Sequence, residues 1–243
     1  GISCPVTLSD ELVVLNAEIL MMTTIIQLFE PGTPVTYGIA ASVPDMRSAL
    51  NLAGSVEVSL LACAGAQLAR RYGMRSITTA GTDSHATDGQ ASMERLLTSL
   101  VPAMCGIDLI NMSGLGGKLT FSAGQLVIDN EMIRLVNHFL KGIGVEEHMP
   151  VVELMEEVGF KGAFLSHRHT VEHFREVLLD SKLLSRRSWM DWEKSGSKTL
   201  EERAWEDVKT ILEKHEPNPL STDVQKEIDK IVRWVECNEM KKG

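Results

Sequence analysis

The chain has 243 residues, a formal net charge of −9 at neutral pH, 44% hydrophobic and 23% charged residues. This is a globular composition whose length suits one large domain or two small ones. The acidic balance argues against a nucleic-acid partner, and four widely spaced cysteines (Cys4, Cys63, Cys105, Cys237) make neither a zinc set nor a disulfide framework, so a reducing, cytoplasmic setting is expected.

In chain order, Ile2–Leu8 reads as a Pro-containing extended run. Leu12–Phe29 then reads as a helix apolar on most faces, suited to burial on a sheet. Asn16, Glu18, Thr23, Thr24 and Gln27 interrupt it, whereas a spanning helix needs about 20 nearly uncharged apolar residues, so no membrane is expected. The stretch before it also lacks the basic start and cleavage site of a signal peptide. Pro31-Gly32-Thr33-Pro34 ends the helix, and Pro34–Ala41 reads as a strand.

The alternation repeats. Val56–Tyr72 is an Ala- and Leu-rich helix closed by Arg70, Arg71 and a C-cap Gly73. Ser76–Ala80 is a strand, Ala91–Cys105 a helix stopped by Gly106, and Ile107–Met112 the next strand. A loop at Ser113–Gly117 leads to a helix over Ile128–Leu140. Strands separated by helices at this spacing mean βαβ units and about four parallel strands in an α/β fold. Val151–Val158 is a short helix, and Gly162–Ser166 an edge strand or extended connection. Beyond Leu178 the four tryptophans fall among dense Lys and Glu. Thr199–Lys214 and Val224–Met240 there read as amphipathic surface helices. The expected organisation is an α/β portion over 1–180 and a charged helical extension over 181–243.

In parallel α/β folds the working groups stand on loops after the C-terminal ends of strands. The densest such segment, Thr82 to Gln90, offers Asp83, His85, Asp88 and Gln90, although Asp88 or Thr87 also suits a helix N-cap. Glu18 sits with Asn16 on an otherwise apolar helix, so it either meets a cation or faces outward. Tyr37 opens the strand-end segment Tyr37–Arg47, in which Asp45 with Arg47 suits an internal ion pair. Gly114, Gly116 and Gly117 lack any phosphate-loop frame and instead let backbone approach a neighbour or a bulky ligand. His167 and His169 have a spacing that suits a metal on a strand but no completed ligand set, so no metal is expected.

Pro5-Val6-Thr7-Leu8, Leu15-Asn16-Ala17-Glu18, Pro31-Gly32-Thr33-Pro34-Val35-Thr36-Tyr37-Gly38 and Asp45-Met46-Arg47 resemble the trimethylamine methyltransferase family. So do Ala66 to Gly73, Thr82-Asp83-Ser84 with Asp88-Gly89-Gln90-Ala91, and Phe164 to Thr170. The resemblance covers the C-terminal half of the family pattern. It implies the C-terminal half of a TIM-type (β/α)8 barrel that takes a methyl group from a methylated amine. The methyl group would pass to the cobalt of a corrinoid (cobalamin-type) cofactor carried by a partner protein, none being bound covalently here.

The stretch where archaeal members carry pyrrolysine has an ordinary His85, which turns the expected substrate toward a quaternary amine such as a betaine. On this reading His85 and Asp83 are catalytic, and Glu18, Asn16, Tyr37, Arg47, Asp88 and Gln90 bind substrate. Arg47 or Lys118 would meet a substrate carboxylate, and Gly114, Gly116 and Gly117 face the approaching corrinoid. Half a barrel has unpaired edges, so self-association or a complementary half is expected. A non-catalytic half-barrel binding module, and a different barrel enzyme using Asp83 and His85 as an acid–base pair, stand as alternatives.

Overall fold

The computed structural model describes residues 1–112, 114–145, 150–160 and 162–239. They divide into two units, 1–208 and 209–243. Helix α1 (Leu8–Phe29) leads to strand β1 (Thr36–Ile39) and a small hairpin of β2 (Val43–Pro44) and β3 (Asn51–Leu52). Helix α2 (Val56–Tyr72), strand β4 (Arg75–Ala80), helix α3 (Gly89–Met104), strand β5 (Leu109–Met112) and helix α4 (Ala123–Leu140) follow. Then come α5 (Val151–Val158), α6 (Arg168–Val177), α7 (Trp189–Lys194), α8 (Leu200–Lys214) and α9 (Thr222–Glu239). Ser113 and Met240, which the sequence reading placed in a loop and at a helix end, lie outside the described residues.

The main sheet is parallel, in the order β1-β4-β5, with Ile39 opposite Thr78 and Thr79 opposite Asn111. Among the described residues the parallel sheet therefore has three strands where about four were expected. The difference is the run at Ile2–Leu8, which makes no strand. Thr7 adopts an extended backbone, and its carbonyl accepts the Asp10 and Glu11 amides, so the chain enters α1 there. Asp10 and Glu11 in the first turn favour that start.

Tyr37 and Ile39 of β1 pack with Ala62 and Ala69 of α2, and Leu15 and Ile19 of α1 close the same cluster. The α2 backbone comes close because of Gly65: a Cβ there would lie 2.5 Å from Ile39 Cγ1. Gly73, at φ +66°, ends α2 in the left-handed conformation. Helix α3 packs beside α2 and against β4. Ser76, Thr78 and Ala80 of β4 are buried, alternating with Arg75, Ile77 and Thr79. At the N-terminal end of the sheet Asp108 takes Arg75 Nη1 at 2.7 Å and the Ser76 amide at 2.9 Å. Those bonds, Arg75 first, hold its carboxyl down at about 2.

Helix α1 has 22 residues, and an 18-residue window of it has a mean hydropathy of 1.9, long and apolar enough by composition to cross a membrane. Three of the polar residues that argued against a span satisfy themselves locally. Thr23 and Thr24 hydroxyls donate to the carbonyls of Ile19 and Leu20, and the Gln27 amide meets Thr33 O and Gly32 N.

Two other expectations fail for local reasons. Gly162–Ser166 is not a strand: Phe164–Ser166 form a 3₁₀ turn closed by the bond from His167 N to Phe164 O. His167 and His169 do not share a strand either. The His167 ring caps α6 by accepting from His169 N, and its Nε2 lies 3.1 Å from Glu157 Oε2.

Candidate active site

The loops that leave the C-terminal ends of β1, β4 and β5 are tied to one another by polar bonds. Asp83, in the loop after β4, accepts the amides of Ala53 (2.7 Å) and Gly54 (3.0 Å), one on each carboxylate oxygen. Both amides belong to the chain leaving β3. Asp83 thus pins one loop to the next while remaining half-buried.

Beneath it stands Glu94 of α3, a residue the sequence reading did not single out. Its Oε2 accepts the Thr82 hydroxyl (2.6 Å) and the Asp83 amide (2.7 Å), and its Oε1 accepts the Gln90 side chain (2.9 Å). Gly54 makes this possible, since a Cβ there would lie 2.4 Å from Glu94 Oε2. The available signal was Gln90 and Glu94 at i, i+4 spacing in the helix that follows the strand-end loop, one turn apart on one face.

Asp88 is the N-cap of α3. It accepts the Ala91 amide (2.8 Å) and the Ser84 hydroxyl (2.9 Å), and these bonds hold its carboxyl below the usual range, the Ala91 amide contributing most. The loop after β5 then docks onto this segment: Gly116 N donates to Ser84 O at 2.8 Å and Gly117 N to Thr82 O at 3.0 Å.

His85 is exposed at the seam between these two loops. A Cβ on Gly116 would lie 2.6 Å from His85 Nδ1, so the glycine leaves room for the imidazole. Gly114 faces the Thr120 carbonyl at 2.5 Å from an added Cβ, while a Cβ on Gly117 would meet nothing within 4 Å. Of the glycines expected to face a bulky ligand, only Gly117 borders open space.

Behind the loops, Arg95 is fully buried, with Nη1 2.7 Å from Asp129 and Nη2 2.9 Å from Gly114 O. Gln125 donates to the other Asp129 oxygen at 2.8 Å. Burial pushes the Asp129 carboxyl up, against the pull of Gln125 and Arg95.

The structure brings Asp83, His85, Asp88, Gln90, Gly116 and Gly117 together. Tyr37 and Asn16 stand elsewhere. Tyr37 is fully buried in the helix layer, its hydroxyl donates to Asn16 Oδ1 at 3.0 Å, and Asn16 donates to Tyr72 at 3.1 Å. Arg47 is exposed on the turn after β2. The expected ion pair with Asp45 does not form, because Asp45 accepts the Arg47 and Ser48 amides and the Ser48 hydroxyl instead. That lets one short side chain close the turn without ordering a long arginine. Glu18 is exposed on α1 and lines a cavity at the end of β1.

Chemically, the cluster is an exposed imidazole at the edge of a platform whose carboxylates are already fixed by amide and hydroxyl donors. Carboxylates held this way cannot swing, which suits holding a cation rather than relaying protons.

Comparison with known proteins matches residues 1–236 to the trimethylamine methyltransferase family. A trimethylamine methyltransferase of Methanosarcina barkeri (strain Fusaro) is 36% identical over 234 residues, covering 96% of this chain and 47% of that protein. Another, from Desulfitobacterium hafniense (strain DCB-2), is 34% identical over 238 residues, with 97% and 48% covered. A glycine betaine methyltransferase of Desulfitobacterium hafniense (strain Y51) is 30% identical over 235 residues, with 96% and 49% covered. The chain spans about half the length of the curated relatives it matches.

Proposed function

The chain belongs to the trimethylamine methyltransferase family, and from that premise we propose that it forms the C-terminal part of a TIM-type barrel enzyme moving a methyl group from a quaternary amine to a corrinoid protein. The observation that carries the reading is the His85 platform. An imidazole, two fixed carboxylates and a side-chain-free ledge at Gly117 converge where strand-end loops meet.

The barrel reading is supported by the winding of the sheet. Consecutive parallel strands are neighbours in the order β1-β4-β5, and α2 and α3, which join them, pack on each other. Right-handed crossovers that always advance in one direction put their helices on one face, as in a barrel, whereas a doubly wound sheet reverses. The open edges of β1 and β5 support assembly with a complementary half or a second copy. On this reading 1–180 is the barrel portion and 181–243 an extension.

A quaternary ammonium has no lone pair to protonate, and its departing tertiary amine leaves neutral. Transfer therefore depends on positioning and water exclusion more than on acid catalysis. When bound, the corrinoid supplies the cobalt nucleophile. Open space beside Gly117 fits the approach of so broad a group, and Asp83 and Asp88 fix the loops that frame it. His85 stands at the edge to orient the amine and shield it from solvent.

The test supplies the chain, in its full-length polypeptide, with a reduced corrinoid protein and a panel of methylamines and betaines. Methyl transfer from a quaternary member is expected. Silence across the panel would leave the non-catalytic binding module.

A further inference from the structure

The cysteines lie far apart in the sequence, yet the fold brings Cys63 and Cys105 to one carbonyl. Helices α2 and α3 run side by side through small residues. Ser59 Oγ donates to Leu97 O at 3.2 Å, and one turn on, Cys63 Sγ donates to Val101 O at 3.7 Å. Val101 O also accepts the Cys105 amide at 3.1 Å, the bond that closes the last turn of α3. Further along, Arg70 Nη1 donates to Cys105 O at 2.6 Å. Cys63 and Cys105 therefore share an acceptor, and α2 is bonded to α3 on both sides of it.

The two thiols sit in different settings. Cys63 is buried, whereas Cys105 is half-exposed at the C-cap of α3. Burial, and after it the Cys105 side chain, push the Cys63 thiol up to about 12. Cys63 is thus shielded from reagents in solution, while Cys105 is open to them. A buried thiol beside a more accessible one is the arrangement of a resolving and an attacking cysteine.

We propose that Cys63 and Cys105 form a reversible disulfide modification site whose reactant is a small soluble disulfide. The Cys105 thiolate attacks one sulfur of the reagent, forms a mixed disulfide and expels the other half as a thiolate. Cys63 then gives up its proton to solvent and attacks the Cys105 sulfur. The bond to the reagent breaks, and its second half leaves as a thiol. The two cysteines lose two hydrogens and two electrons in all, and the reduced reagent departs as two thiols. The new bond joins α2 to α3 beside the turn at Gly106. That is the end of α3 opposite its Asp88 cap, so the His85 platform is left as it was.

The full-length polypeptide, reduced and then incubated with glutathione disulfide, is trapped with an alkylating reagent and mapped by peptide mass spectrometry. A linked pair of peptides holding Cys63 and Cys105 is expected, lighter by two hydrogens than its parts and restored to free thiols by dithiothreitol. Cys63→Ser removes the resolving thiol and should hold glutathione on Cys105 at roughly tenfold or more the occupancy seen in the parent. In Cys105→Ser the buried Cys63 should react roughly tenfold or more slowly than Cys105 does in the parent. This second change lies at a half-exposed helix end and keeps the amide bond to Val101, so it carries the test should Cys63→Ser misfold. Glutathione accumulating on Cys105 of the parent, Cys63 linked to any other cysteine, rapid modification of Cys63 in Cys105→Ser, or no reaction at either cysteine would overturn the proposal.

Discussion

The loop cluster around Asp83 and the stretch from α5 to α6 are built on opposite terms. In the first, nearly every polar group near the strand ends is answered by another, across three loops and one helix. In the second, neither helix buries a single residue, and Val152, Met155, Phe160, Phe164 and Leu165 all stand exposed. The site is therefore held by bonds internal to this chain, whereas the α5–α6 stretch contributes little to the fold that carries it. Changes in the first region should be felt in both stability and function. Changes in the second should leave the folded chain unmoved.

The largest break is expected at Arg95. Arg95→Met leaves Asp129 buried without its cation, and losing one partner of such a pair costs roughly 3 to 5 kcal/mol. Urea unfolding followed by circular dichroism checks it. A smaller loss, about 1 to 3 kcal/mol, is expected for Gly54→Ala, whose new methyl group must displace the Glu94 carboxylate. That variant also separates tight packing from mere charge, since no charge changes.

A pH arm sharpens the comparison further. The Asp88 carboxyl is held below its ordinary value of 3.8, the Ala91 amide and the Ser84 hydroxyl being the main causes. Its contribution to stability is therefore complete above that value and is lost as pH falls through the lowered one. Asp88→Asn keeps a capping oxygen but should flatten the acid limb of the Tm-against-pH curve below about pH 4. At the far end of the scale, Val152→Ser on α5 should change stability by no more than about 0.5 kcal/mol. A large loss there would show that α5 packs into the fold after all.

Much of the fold was legible from residues alone. Val56–Tyr72 and Val151–Val158 are helices at the bounds their patterns set, because Gly73 and Gly159 end them at positive φ. Of the strands in the parallel sheet, β1 and β5 fall within their expected runs and β4 begins one residue before its run, while the β2–β3 hairpin had no expected counterpart. Ile2–Leu8 was misread because Pro and β-branched residues favour extended backbone, while the Thr7 carbonyl, which starts α1, leaves no pattern in composition. The site was half legible. The strand-end rule pointed to Asp83, His85 and Asp88, which do lie together at the strand ends, and Asp88 is the cap that its position also allowed. Glu94 was missed because it lies on a helix, where an acid usually means a solvated face. Only tertiary packing shows that it meets the Asp83 amide. Tyr37 was chosen for its place on a strand end, but strand alternation turns it toward α1 and α2.

The central claim, that the joined strand-end loops form the working site, is tested most directly by methyl-transfer rates for two variants in the full-length polypeptide. A quaternary amine and a reduced corrinoid protein are supplied, and cobalt absorbance is followed. His85→Ala should slow transfer about a hundredfold, the scale on which a lost positioning contact is felt, while Val152→Ser keeps the parent rate. Equal rates for the parent and His85→Ala would contradict the account.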